Sequence, residues 1–411
     1  MLEDFLKKAD APLLAAAALL LVMGCSAKAP VVEKTAWKAF MYDGSRSNHS
    51  RAVIAPPLKR LWKKNISPRK LFASYPELQT SAPVLSGGVL YVGSANKRFY
   101  AFNYRDGKLL WSFDSTAPIE ASATVADGRV CFGSADGVMR CLDASTGAEV
   151  WSFQAQAEIL SAPVIKDGAL FFHATDDKLY GLDAITGEKL WTYTRTTSRM
   201  VTPRVLGSPA SSGRRLFQLF SDGSLVCLDS VSGSVLWEKK IVKSFAPSFS
   251  GYIRRTPLVY NGRVHMIDDE GRVLALDEED GKLKGIYSML KATEILVIDN
   301  RLLIIAGEKK VLAFEKGTDS ILWKRDVEYS TLSSIFAVGD YIFLLSRYEH
   351  RPLDMDFFAS DRGYIRALST DSGELVWEKK FKSTITANAS GADGAVALFM
   401  DNGVIGVFAS K

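Results

Sequence analysis

The sequence predicts an all-β fold, a single eight-bladed β-propeller of four-stranded blades, on three observations. Tryptophans recur at Trp62, Trp111, Trp151, Trp191, Trp237, Trp323 and Trp377, with spacings of 49, 40, 40, 46, 86 and 54 residues. A turn glycine stands four residues before most of them, Gly107 before Trp111 and likewise Gly147, Gly187, Gly233 and Gly373; Gly317 stands six before Trp323. Upstream of each turn lies a short alternating segment such as Phe99-Tyr-Ala-Phe or Leu225-Val-Cys-Leu, itself preceded by a hairpin turn such as Asp136-Gly137 or Asp222-Gly223. Period-2 alternation bounded by Asp-Gly turns is a strand signal, and four such strands in about 40 residues make one blade.

The repeats run in order along the chain. The double gap between Trp237 and Trp323 hides a repeat in which Ala275-Leu276-Asp277 and Gly281 keep the register while Gly285 takes the tryptophan position. The last repeat, Val404-Ile-Gly-Val, reaches Lys411 without a tryptophan strand. Trp62 supplies it: a strand around Leu61-Trp62 is expected to pair into the blade of residues 386–409, closing the ring and removing exposed sheet edges. The third position of the alternating segments holds Ala101, Cys141, Gly181, Cys227, Ala275, Ala313, Ala367 and Gly406, all small, which implies a close approach between neighbouring blades or toward the axis. Cys141 and Cys227 are then small core residues, as is Cys131, which stands where other repeats carry Tyr91 or Phe171. A Cys131–Cys141 disulfide across one hairpin stays open beside that reading, given an oxidising compartment.

Before the ring, the apolar run of residues 11–23 is too short to span a bilayer and reads as the core of a secretory signal over residues 1–24. Leu21-Val22-Met23-Gly24-Cys25 resembles the bacterial lipobox, which implies that Cys25 becomes the lipidated first residue of the mature chain. Several acyl chains, at about 0.8 kcal/mol per buried methylene, anchor stably where one does not. Ser26 after Cys25 is compatible with outer-membrane sorting. Residues 25–57 read as a polar tether and residues 58–411 as the propeller.

Composition excludes several classes. At 47% hydrophobic and 24% charged the chain is neither disordered nor collagen-like. Its net charge of +5, near +6 once residues 1–24 are removed, proposes no nucleic-acid partner. Four histidines and four cysteines leave little material for a metal site. His49, His173, His265 and His350 stand apart from one another and read as surface or rim residues. No phosphate loop, nucleophile elbow or zinc spacing occurs, so no catalytic residue, metal or cofactor is expected.

The unit Gly181-Leu-Asp-Ala-Ile-Thr-Gly-Glu-Lys-Leu-Trp191 resembles the repeat of the pyrroloquinoline-quinone-like propellers, and the resemblance extends over about 350 residues. Quinone-dependent dehydrogenases of that superfamily use a calcium ion held by Glu, Asn and Asp, an Asp base and often a disulfide between adjacent cysteines. No adjacent cysteines occur here, and the chain is much shorter. The other branch, lipoproteins similar to the BamB-type subunit of the outer-membrane barrel-assembly machinery, fits the lipobox, the length and the eight repeats. It implies a non-catalytic, monomeric propeller facing the periplasm, held to the outer membrane by its lipid, with an envelope protein, the barrel insertase, as partner. A propeller lipoprotein of another envelope complex, or one with a ligand on its axis, is the alternative reading.

In that family the partner contacts lie in linkers corresponding to residues 192–204 and 238–256. The family's Leu-and-Arg segment is replaced in the first by Thr197-Ser-Arg-Met-Val-Thr-Pro203, and the acidic pair of the second by Arg254-Arg255. The two linkers nevertheless carry Arg195, Arg199, Arg204, Lys239, Lys240, Lys243, Arg254 and Arg255 against one acid, Glu238, with Phe245, Phe249 and Tyr252 interleaved. Such a basic, aromatic patch suits a protein interface. A second candidate is the insert of the seventh repeat, residues 346–363, with Leu353, Met355, Phe357 and Phe358 on a lengthened hairpin.

Overall fold

In a computed structural model of the chain, each of the eight repeats forms an antiparallel sheet that steps outward strand by strand. The structure describes residues 36, 38–67, 79–195, 207–243, 255–288, 291–299, 302–307, 309–315, 320–327, 331–350, 360–385, 389–392 and 394–410. Blade 2 is representative, with strands Thr124–Ala126, Arg129–Gly133, Val138–Asp143 and Glu149–Gln154 hydrogen-bonded in that order. The first strands of successive blades neighbour one another round a complete circle, that of the eighth blade meeting that of the first. Blade 8 takes Ser390–Ala392, Ala395–Phe399 and Val404–Ala409 from the C-terminal side and its outer strand, Lys59–Asn65, from the N-terminal side. The eight-bladed ring and its closure by the Trp62 strand are as the sequence predicts.

The tryptophans join blade to blade. The indole N–H of Trp111 donates to Ala144 O of blade 2, that of Trp151 to Ala184 O of blade 3 and that of Trp191 to Ser230 O of blade 4. Trp62 does the same across the closure, donating to Tyr104 O of blade 1 at 2.7 Å. Each ring lies flat on the next blade's turn glycine: a Cβ added to Gly147 would stand 2.5 Å from Trp111, and one on Gly107 2.7 Å from Trp62. Those glycines also sit in the left-handed region, Gly107 at φ 72° and Gly147 at 76°, so two requirements select the same residue.

The small positions have a different cause from the expected approach between blades. Ala101, Cys141, Gly181, Cys227, Ala313 and Ala367 lie directly opposite the tryptophan of their own sheet, leaving room for its indole. In blade 8 the register is one residue later, so Val407 and not Gly406 faces Trp62. Cys131 and Cys141 also face each other, in adjacent strands, and form a disulfide; Cys227 is a buried free thiol. Burial raises the Cys227 pKa to about 12, which keeps the thiol inert. Between blades 1 and 2 the core is aromatic, Phe99 stacking on Phe132 at 4.2 Å, whereas between blades 6 and 7 it is built mainly of Leu, Ile, Val and Ala. The turns before the outer strands are held by a carboxylate. Asp143 Oδ1 accepts the hydroxyl and amide protons of Ser145 and Thr146, which lowers its pKa to about 2.

Two expectations are corrected. His49, His173 and His265 are buried in the core and not on the rim. The polar segment before the ring, expected as a tether to residue 57, is from residue 38 onward packed into the ring's inner edge. Its carbonyls accept N–H groups from the innermost strands one blade after another: Lys38 O from Val125, Gly44 O from Ser211, Ser45 O from Val259, Ser47 O from Val297 and Asn48 O from Ala337. His49–Ser50 pairs in parallel with Thr331–Val338, giving blade 7 a fifth strand. Arg46 is fully buried and its guanidinium donates to four carbonyls, those of Phe40, Pro209, Ala162 and Pro163. Burial lowers its pKa to about 10, against a small opposite effect of Asp43. Met41, Tyr42, Arg46 and Asn48 have positive φ, each costing about 1–3 kcal/mol that the surrounding bonds must offset.

Gly147→Ala and Gly168→Ala separate the two demands on the turn glycines, because φ is nearly the same at both while nothing stands within 4 Å of a Cβ at Gly168. In urea denaturation Gly168→Ala is expected to cost about 1–2 kcal/mol from the backbone alone, and Gly147→Ala a further 1–3 or so from overpacking against Trp111. Replacing Cys131 and Cys141 together by alanine is expected to lower stability by up to about 3 kcal/mol, the value for a loop of this size. The same loss should follow reduction of the wild type, measured by the same titration.

Candidate functional site

One rim of the ring is built from the turns between second and third strands together with the linkers that lead from one blade's outer strand to the next blade's inner strand. Main-chain bonds clip the linker between blades 2 and 3 to both neighbouring turns: Ile159 N–H donates to Ser134 O of blade 2, and Thr175 N–H of blade 3 to Glu158 O. A linker with extra residues must therefore bulge away from a fixed base, which is how a regular scaffold comes to present irregular surface. The described ends of both candidate linkers, Arg195 and Gly207, Lys243 and Arg255, lie on this rim, as does the long hairpin of blade 7.

Arg195 leaves the outer strand of blade 3 and reaches across to blade 4. Its guanidinium bonds Asp222 at 2.7 Å and Glu238 at 2.8 Å and lies over the Phe220 ring, 6.0 Å from its centre. Burial by itself would lower its pKa, but the bonds to Glu238 and Asp222 win and raise it. Burial likewise pushes the Asp222 carboxyl up while the bond from Arg195 holds it below its ordinary value. Arg195 is thus a clamp between blades, and its charge is met inside the molecule. The main-chain N–H of Lys243 donates to Asp269 on the adjacent turn of blade 5, and half-buried Arg255 faces Asp269 and Asp268 on that turn. Burial lowers the Arg255 pKa, with those carboxylates opposing. Lys240 Nζ bonds Asp222 O. The structure therefore brings Arg195, Lys243 and Arg255 to consecutive blades of one rim, each beside a hairpin-turn carboxylate, Asp222 or Asp269, that lies outside the linker sequences. Arg199, Arg204, Phe245, Phe249, Tyr252 and Arg254 lie outside the described residues, as does Cys25.

The blade 7 hairpin, Tyr341–His350 and Ser360–Ser369, has ten-residue strands where its counterparts in other blades have five or six. On it Tyr364 is enclosed by Tyr348 at 4.5 Å between ring centres, Arg366 at 4.5 Å and Lys380 at 5.2 Å. This aromatic and cationic cluster was not among the candidates; its signal in the sequence is the Tyr364-Ile-Arg366 alternation. Met355, Phe357 and Phe358 lie outside the described residues.

A buried polar group joins blades 3 and 4: His173 Nε2 lies 3.4 Å from Asp177, whose other oxygen accepts the Ser221 hydroxyl. With the carboxylate standing between histidine and serine, and all three buried, the hydroxyl has no imidazole beside it and no open path to a substrate. Among the described residues no group of three or more His, Cys, Asp or Glu is placed to hold a metal ion.

The family model for the outer membrane protein assembly factor BamB matches residues 52–140, 131–248, 203–284 and 254–356, together about three quarters of the chain. The chain belongs to the BamB family. Two BamB proteins illustrate the distance. That of Yersinia pestis is 25% identical over 366 residues, covering 85% of this chain and 77% of the relative, and that of Salmonella typhimurium is 23% identical over 372 residues, covering 89% and 81%. The crystal structure of BamB from Moraxella catarrhalis superimposes with a TM-score of 0.65 at 19% identity, over 86% of this chain and 99% of that one. A quinohemoprotein alcohol dehydrogenase from Comamonas testosteroni gives 0.67 at 13% identity, over 92% and 81%. At such identities the structural likenesses speak for the fold alone, and membership of the BamB family rests on the sequence model.

Arg195→Ala is expected to destabilise the ring by about 1–2 kcal/mol at neutral pH, since its ion pairs are only partly screened. The Asp222 carboxyl is depressed below its unperturbed 3.8, so its contribution is present above that value and lost as pH falls through the folded value. The gap between wild type and Arg195→Ala, followed by urea denaturation from pH 7 to pH 2.5, should accordingly narrow only below pH ~4.

Proposed function

We propose that this protein is a non-catalytic scaffold in the assembly of outer-membrane proteins. Cys25 holds it by lipid to the outer membrane, the ring lies in the periplasm, and it docks on the barrel insertase. The observation that carries this reading is the BamB family match across residues 52–356, over a ring whose described residues hold no catalytic constellation. The docking surface is the rim of blades 3–5, with Arg195, Lys243 and Arg255 at its described base and the linker residues Arg199, Arg204, Phe245, Phe249, Tyr252 and Arg254 as the partner-binding groups. The blade 7 hairpin with Met355, Phe357 and Phe358 is the second contact. Because Arg195 and Arg255 already face carboxylates of the ring, the residues between them carry the recognition.

Crosslinking in native membranes should recover the barrel insertase; recovery of unrelated envelope proteins only would overturn the assembly role. Combined Arg199→Glu, Arg204→Glu and Arg254→Glu should lower that recovery at least about tenfold, a loss of 1.4 kcal/mol or more. Unchanged recovery would remove the linkers from the interface. Cys25→Ala should move the protein from the membrane fraction to the soluble one.

A further inference from the structure

The inner edge of a propeller carries a row of main-chain N–H groups that no neighbouring strand reaches. Here five of them, on Val125, Ser211, Val259, Val297 and Ala337, stand at one register position, each opposite the second residue of the following strand. All five are satisfied by main-chain carbonyls of residues 38–48, at 2.6–3.0 Å. This recognition reads backbone and not side chains, as in strand addition to a sheet edge. Two large side chains are seated besides, and the Asn48 side-chain N–H donates to Ile335 O. Phe40 is buried with Met41, Ala82 and Ala162, and Arg46 enters a cage of four carbonyls with its guanidinium 5.7 Å from the Phe40 ring centre.

The fit is not perfect. Four residues within eight hold positive φ, and Asn48 Oδ1 is buried with no hydrogen-bond partner among the described residues. A segment held mainly through carbonyls, with strain in its own backbone, can be replaced by another that supplies the same carbonyls and the same two side chains.

We propose that the axis of the ring is a peptide-binding site, occupied here by the chain's own residues 38–50, which accepts in exchange a segment able to follow the same turned course, with an aromatic residue six places before an arginine. This site is separate from the rim and does not depend on what docks there. The occupied axis also leaves the inner edge of blades 2 and 4–7 unavailable to a small ligand until the segment is displaced.

The test uses the full mature chain with a protease site inserted after Val53, which is 86% exposed. After cutting, a fluorescent synthetic peptide of residues 36–53 should exchange into the ring, followed by anisotropy, and unlabelled peptide should compete. Peptides carrying Phe40→Ala or Arg46→Ala should compete at least about tenfold less well, as loss of packing or of charged hydrogen bonds requires. No uptake, or equal competition by a scrambled peptide, overturns the proposal. Should cutting unfold the ring, the intact Arg46→Ala chain decides. Hydrogen exchange at the five inner-edge amides should rise together at least about tenfold, with the outer strands of the same blades unchanged; unaltered protection at those amides overturns it.

Discussion

A tryptophan ring lying on the next blade's turn glycine is the contact on which the rest of this molecule depends. A four-stranded blade cannot bury both faces alone, so the ring stands only if each blade covers the next. The indole covers a broad apolar area and ends in a donor that the next blade's carbonyl accepts, which joins burial and direction in one side chain. The same indole dictates the small residue opposite it and the missing Cβ beneath it, at Gly147, Gly187 or Gly233. Blade 5 does without the tryptophan, carrying Gly285 opposite Ala275. One such gap is tolerated in a ring whose other described joins of this kind run from Trp62 to Trp323.

That rigid circle fixes where irregular chain can be placed. A linker clipped at both ends, as between blades 2 and 3, leaves the rim as the place from which added residues can project without disturbing the sheets. Ion pairs such as Arg195 with Asp222 and Glu238 brace the base of these projections. Charge counted along a linker thus overstates what is offered to a partner, because its opposite number sits on the neighbouring blade, far away in sequence.

Most of the architecture is legible in the sequence because the repeat is periodic and its marks are local: glycine four before tryptophan, Asp-Gly hairpin turns, alternation. Even the closure by Trp62 follows from counting. What escapes is what depends on distant partners. Arg46, Asn48 and His49 look like part of a solvated tether, yet apart from Phe40 O the groups their side chains bind lie 116 to 287 residues away. His173 is polar and isolated in the sequence, and only the fold sets Asp177 against it and Ser221 beyond. The register of blade 8 is misplaced by one residue because its tryptophan strand comes from the other end of the chain, and no short turn transmits the spacing. The candidate rim was located by its linkers, but the carboxylates that temper it belong to hairpin turns of the next blade.

After the short His49–Ser50, the strand Lys59–Asn65 is the first of the ring's blade strands to leave the ribosome, and its partner, Val404–Ala409, is the last. Some 350 residues must be made before Trp62 can pair with its partner strand. Any chain cut short in synthesis or clipped in transit lacks that partner and keeps an unpaired edge and a bare indole, the marks by which proteases and chaperones sort faulty chains. Joining first strand to last makes the finished circle its own record of complete synthesis.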